Sequence, residues 1–201
     1  MAAPDLPRIE GLRQAVGPYT QLGFVVRDLD AAVRHWVEVM GVGPFLFLNK
    51  GTGRPPAPSL FRGERVVVEN RIAFGFIGDV QLELIEQVND APSPYLEFLA
   101  EGREGLQHLG YWVDDHAYAC AQVEAAGYVM EFEIPIAGQP ESILYYRSPN
   151  HVGPMIEIIP TRWRKSRAAV LEHVRAWKGG DPLLRYESYG DFLAAAKVDF
   201  S

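Results

Sequence analysis

The chain has 201 residues, 48% of them hydrophobic and 22% charged, with a formal net charge of −7. That is material for one large domain or two small modules sharing a core, and it is not the composition of a disordered chain. The acidic balance argues against a general binder of nucleic acid or anionic membranes. No apolar run approaches the about 18 residues of a membrane span, and the single cysteine, Cys120, excludes an internal disulfide and a cysteine-rich metal site. The start, MAAPDLPRIEG, lacks a basic-then-apolar leader pattern, so a reducing cytoplasm is the expected compartment.

In chain order, residues 1–17 hold prolines and glycines and read as an N-terminal arm. A strand is predicted over Thr20–Val26, and Asp28 then caps a helix with Ala31, Trp36, Val37 and Met40 at helical spacing. Gly41 and Gly43 stop it, and Pro44–Leu48 reads as a second strand. Residues 49–64, rich in proline, glycine and charge, are expected to be a disordered loop or a lid. Arg65–Ile77 and Val80–Glu86 read as strands joined by a hairpin turn at Gly78-Asp79. A linker with a short helix around Tyr95–Ala100 precedes a second series: strand His108–Val113, a helix opened by Asp115, and strands near Val129–Ile134, Ser142–Arg147 and Met155–Ile159. Residues 161–201 read as a helical extension whose apolar positions, Val170, Val174, Trp177, Phe192 and Leu193, cover either their own sheet or a partner chain. A homodimer using this extension is expected.

The second series repeats the first. QLGFVVRD (21–28) and HLGYWVDD (108–115) share Leu, Gly, Val and Asp at the same offsets, with Gln21 in the place of His108. Independently, VQLELI (80–85) lines up with PMIEII (154–159) and sets Glu83 on Glu157. Each glutamate stands between apolar neighbours on a strand whose side chains alternate faces. A lone strand glutamate would most simply face solvent; two at equivalent positions, beside Gln21 and His108, point into a shared site. One amide oxygen, two carboxylates and one imidazole suit a hard or borderline divalent cation with room for further ligands, not a closed structural zinc site.

The segments RDLDAAVRHW, DVQLELIE, HLGYWVDD and MIEIIP, in this order over residues 18–160, make the sequence resemble the vicinal oxygen chelate superfamily: glyoxalase I, methylmalonyl-CoA epimerase, extradiol dioxygenases and bleomycin-resistance proteins. The resemblance implies an α+β fold in which two βαβββ modules, 18–86 and 107–160, form a cupped sheet around a metal site. It implies Gln21, Glu83, His108 and Glu157 as ligands of zinc, nickel, cobalt, manganese or magnesium. It further implies proton transfer next to a carbonyl through a metal-stabilised enolate, with Glu157 as first choice of base and Glu83 as second. The Gln/Glu/His/Glu order is similar to eukaryotic-type glyoxalase I. However, Val25 and Glu104 stand where that branch keeps arginines for glutathione, and the connection SPNHVGPMIE is more similar to epimerases. The expected function is therefore an isomerase, epimerase or lyase acting on a small-molecule carbonyl compound that is rather apolar or of acyl-CoA type. A glyoxalase I with atypical glutathione contacts and a metal-free sequestering protein are the alternatives. Face-sharing with the ligands makes Val25 and Trp112 candidate substrate contacts, and Tyr145 is preferred over Tyr146 for a phenol in the cup. His35, His116, His151 and His173 read as surface or capping groups.

Overall fold

Two aspartates at repeat-equivalent positions start the two helices that brace the sheet. Asp28 accepts a hydrogen bond from the Ala31 amide at 2.9 Å, and Asp115 accepts one from the Tyr118 amide at 2.9 Å; each satisfies an amide that the first turn leaves unpaired. The computed structural model describes residues 11–51, 58–136, 139–151 and 153–200. The first ten residues of the expected arm, the centre of the expected lid (52–57) and the side chain of His151 lie outside it.

After a short helix α1 (Arg13–Val16), the first module runs β1 (Gln21–Val25), α2 (Leu29–Arg34), β2 (Phe45–Leu48), the hairpin β3 (Ser59–Phe61) and β4 (Glu64–Val66), then β5 (Asn70–Ile77) and β6 (Val80–Gln87). A bridging helix α3 (Pro94–Ala100) leads to the second: β7 (Gly105–Val113), α4 (His116–Ala125), β8 (Val129–Ile134), β9 (Ile143–Arg147) and β10 (Met155–Pro160). The extension is not wholly helical. A 3-10 turn at Thr161–Trp163 and α5 (Arg164–Arg175) are followed by a strand, β11 (Leu183–Tyr186), and then α6 (Tyr189–Ala195). No described helix is long and apolar enough to cross a membrane.

The strands form one sheet in the order β11-β2-β5-β6-β1-β7-β10-β9-β8-β3-β4. The modules meet where β1 and β7 pair antiparallel. Within each module the first and last strands pair parallel in the same register: Gln21 lies opposite Gln81 and Gly23 opposite Glu83, while His108 lies opposite Met155 and Gly110 opposite Glu157. The sequence repeat is thus a repeat of strand register. One face of the sheet is covered by α2 over Leu82 and Leu84 and by α4 over Tyr146, Ile156 and Ile158. Alternation sends Gln81, Glu83 and Ile85, and likewise Glu157 and Ile159, to the other, cupped face.

Three expectations need correction. The 49–64 segment contributes a strand pair rather than only a loop: β3 leaves its own module and pairs with β8 of the other, Phe61 opposite Phe132. Met40 and Val39 are exposed, not part of the helix's buried stripe, because the helix winds into a π turn over His35–Val39 and an extra residue per turn shifts its phase. The extension closes on its own chain. β11 pairs parallel with β2, and Val170, Val174 and Phe192 are buried in the cluster that also holds Ile72 and Phe74 of the cup. The apolar residues that suggested an extension-mediated homodimer are consumed inside the protomer.

Phe192 is fully buried between the rings of His173, Tyr186 and Tyr189. Phe192→Ala should therefore lower unfolding free energy by about 3–5 kcal/mol, read by denaturant titration. An extension that faced a partner instead would show a change in oligomeric mass with little change in unfolding.

Candidate metal centre

Four strands deliver the four expected ligands to one place. Glu83 comes from β6, His108 from β7 and Glu157 from β10, and one donor atom of each lies within 4.8 Å of the others, with all three side chains buried. His108 Nε2 is 3.3 Å from Glu83 Oε2 and 3.5 Å from Glu157 Oε2. Gln21 of β1 completes the group, its Nε2 donating to Glu83 Oε2 at 2.7 Å.

The imidazole is held in one tautomer. Gln107 donates through Nε2 to the Pro94 carbonyl at 3.2 Å, which fixes the orientation of its amide, and its Oε1 accepts from His108 Nδ1 at 2.7 Å. The hydrogen therefore resides on Nδ1, and the Nε2 lone pair faces the two carboxylates. Burial pushes the His108 pKa down, against the pull of Glu157, so the ring is neutral and fit to ligate. Burial pushes Glu83 up to about 8. It pushes Glu157 up to about 7, with His108 and the Tyr145 phenol opposing and Glu83 reinforcing the shift.

This geometry tests whether the residues fit a cation. A lone pair aimed at two buried carboxylates is repulsive unless something positive sits between them. Glu157 Oε2 and Gln21 Oε1 are buried without any hydrogen-bond partner, which leaves two oxygen donors unspent beside an imidazole nitrogen. A half-turn of the Gln21 amide exchanges its nitrogen and oxygen and places the oxygen on the Glu83 side. The set fits a divalent metal of mixed nitrogen and oxygen preference.

The two repeat glycines make this close approach feasible. At the β1–β7 junction Gln21 lies opposite Gly110 and Gly23 opposite His108. A Cβ at Gly23 would fall 1.9 Å from His108 Nε2; one at Gly110 would fall 2.4 Å from Gln21 Oε1 and 3.1 Å from Glu157 Oε2. Each module's glycine thus gives space to the other module's ligand. The coincidence of the two glycines was visible in the repeat, but its purpose depends on which strand lies beside which.

The ligands open onto a cavity of about 310 Å³. Gln21, Glu83, Glu157, Trp112 and Tyr145 line it, while His108 lies fully buried behind. Tyr145 faces the cup, its ring 5.0 Å from that of His108; Tyr146 points to the helix face, where its hydroxyl donates to Glu124 at 3.2 Å. Val25 shares the cupped face with Gln21 but does not reach the cavity, because it is fully buried with Tyr95, Phe98 and Leu99 of α3. Three contributors escaped the sequence reading: Gln107, next to His108; Tyr95 on α3; and the extension, whose Trp163, Arg167, Tyr189 and Leu193 form the roof.

Paired βαβ-type modules cupped around a carboxylate–imidazole cluster define a glyoxalase-like α+β fold. Residues 20–146 match the glyoxalase/bleomycin resistance protein/dioxygenase superfamily. The chain belongs to that superfamily, the vicinal oxygen chelate proteins. Among solved structures it is similar to a hypothetical protein from Bacillus halodurans C-125, with 17% identity over 71% of this chain and 93% of that one and a TM-score of 0.50. A mutant 4-hydroxymandelate synthase from Streptomyces coelicolor has 15% identity over 71% of this chain and 38% of that one, with a TM-score of 0.51. A methylmalonyl-CoA epimerase from Mycobacterium tuberculosis has 19% identity over 73% and 89%, with a TM-score of 0.48. At these identities the likeness is one of fold. No curated protein matches the sequence.

Two outcomes are expected. Gly110→Ala should lower metal affinity by roughly tenfold or more, because the new methyl displaces the Gln21 and Glu157 oxygens; calorimetric titration with zinc of the refolded, chelator-treated variant measures it. The second concerns pH. In the metal-free protein Glu83 and Glu157 retain protons that the unfolded chain releases near 4.5. The unfolded state therefore binds fewer protons, and stability must fall as pH rises from about 4.5 toward about 8. Metal has to displace the same protons, so its apparent affinity should climb through that window. Melting temperatures across pH, with and without zinc, should diverge as pH rises; parallel curves would contradict the assignment.

Proposed function

We propose that the protein is a metal-dependent isomerase, epimerase or lyase that moves a proton on the carbon beside a carbonyl group. The single observation that carries this reading is a pair of buried carboxylates facing a neutral imidazole at the floor of an apolar cavity. A divalent metal held by Gln21, Glu83, His108 and Glu157 would supply a Lewis acid for the carbonyl oxygen.

Glu157 is the proposed base. Its Oε2 has no hydrogen-bond partner and its pKa is raised toward neutrality by burial, the condition under which a carboxylate accepts a proton efficiently near neutral pH. Glu83 is committed elsewhere, since its Oε2 takes the Gln21 amide and faces His108 Nε2. It is better placed to hold charge than to take the proton first. Burial and the neighbouring carboxylates push the Tyr145 phenol pKa up, so it keeps its hydrogen and serves as a donor beside Glu157. Ile72, Phe74, Ile85, Trp112 and Ile159 keep the site dry, which strengthens each electrostatic contact. A glutathione conjugate is disfavoured: Val25 is buried under α3, and Glu104 lies 3.6 Å from Arg27, so the places where a glyoxalase I would hold that ligand present no free cation.

The test is proton exchange. Protein loaded in turn with zinc, nickel, cobalt, manganese or magnesium is incubated in D2O with a panel of carbonyl compounds and acyl-CoA thioesters, and loss of the α-proton signal is followed by NMR. Wild type should exchange at least one of them. Glu157→Gln should slow that exchange by about 10²–10⁴-fold while retaining metal, whereas Glu83→Gln should mainly lower metal content. Exchange at the wild-type rate in both variants would remove the assigned base. Failure to take up any of the five metals would favour a metal-free binding protein.

A further inference from the structure

The roof of the cavity carries a cation that proton transfer at the metal centre does not use. Arg167 of α5 lines the cavity, half-buried, with its guanidinium clamped between aromatic rings: its Cζ is 5.4 Å from the Phe76 ring centre and 5.5 Å from that of Trp112. Its Nη2 donates to the Thr20 carbonyl at 3.3 Å and to the Asp79 carbonyl. These contacts to β1 and the β5–β6 turn fix the group in place and satisfy none of its charge.

No described carboxylate forms an ion pair with it. The Asp79 carboxylate is taken by Arg175 at 3.0 Å, and the neighbouring Arg164 is paired with Asp114 at 2.9 Å. Burial pulls the Arg167 pKa down, Asp79 opposes, and Arg164 adds to the fall. Retaining an unpaired, partly desolvated guanidinium is costly unless an anion arrives to meet it.

The hydrogen-bond inventory points the same way. Arg167 Nε, Trp112 Nε1 and Trp163 Nε1 are all buried N–H donors without an acceptor, and all three residues line the cavity. Trp163 precedes Arg167 by one helical turn, so the two share a side of the helix, and the Trp112 ring is already in contact with the guanidinium. The cavity is therefore divided. Its floor has unspent acceptors on Gln21 and Glu157; its roof has unspent donors. Two carboxylates on the floor balance a divalent ion, which leaves the roof with one positive charge and a demand for a monoanion.

We propose that Arg167, with the indole N–H groups of Trp112 and Trp163, is a carboxylate-binding site, and that the substrate is a carbonyl compound bearing a carboxylate at its end remote from the metal. The substrate assignment rests on the function proposed above; the anion site itself does not. A carboxylate offers two oxygens with about four acceptor positions, enough for three N–H donors, and its single charge matches the single uncompensated cation. Arg167 lies beyond residues 20–146, the stretch shared with the superfamily, so this recognition belongs to the extension of this chain.

The experiment uses the full chain and two probes without chelating oxygens, 4-phenylbutyrate and its neutral counterpart 4-phenylbutyramide, titrated calorimetrically at pH 7.5. In chelator-treated protein the carboxylate should bind roughly tenfold more tightly than the amide. Arg167→Met should abolish that preference, and Arg167→Lys, which keeps the charge but loses the Nε donor, should restore part of it. Circular dichroism verifies that each variant is folded. Equal binding of the two probes to wild type, no binding of either, or a preference that survives in folded Arg167→Met would each overturn the proposal. Zinc content is measured on the same preparations. Absence of zinc uptake alongside carboxylate preference would remove the metal chemistry and leave the anion site standing, so the two failures are told apart.

Discussion

The structure depends on the antiparallel pairing of β1 with β7. That junction sets Gln21 opposite Gly110 and Gly23 opposite His108, so the absence of a side chain on one module admits a ligand from the other. Shifting the pairing by one residue would turn every side chain of a strand to the opposite face. The ligands would then be driven under the helices and Leu22 and Leu109 into the cup. The same junction aligns the two parallel pairs, β1 with β6 and β7 with β10, and these bring Glu83 and Glu157 level with the imidazole. Register here is a functional quantity.

Around that junction the molecule separates dry packing from polar chemistry by strand parity. Leu82, Leu84, Ile156 and Ile158 close one face under the helices, and the residues between them carry the carboxylates to the other. A buried carboxylate is costly in isolation, and this site holds two without a guanidinium or ammonium beside them. The cluster is therefore a poor structural device and a good receptor for a cation. The apolar walls that raise the carboxyl pKa values also keep water from competing for whatever binds there.

Much of this was legible in the sequence because the repeat encodes it twice. The aspartate caps, the order of strands in each module, the Gly78-Asp79 turn and the convergence of Gln21, Glu83, His108 and Glu157 all follow from two short matches and from alternation. Val25 shows the limit of alternation: it lies on the expected face, but α3 comes from the linker and covers it, and no periodicity announces where a linker helix docks. β11 was missed because LLRY is short and does not alternate; its strand character comes from the free edge of β2. β3 and β4 were hidden for the same reason, their partner β8 being in the other module. The extension read as helical and partner-facing because its apolar spacing is real, while what that spacing packs against is a long-range fact.

The extension has a further consequence through its place in the chain. β10, which carries Glu157 into the cup, runs directly into Trp163 and α5, and the last strand returns to the edge beside β2. A chain emerging from the ribosome exposes Gln21, Glu83, His108 and Glu157 before it exposes the residues that roof them. An ion can thus be captured by an open bowl and enclosed afterwards, and the order of synthesis becomes an order of assembly: ligands first, lid last.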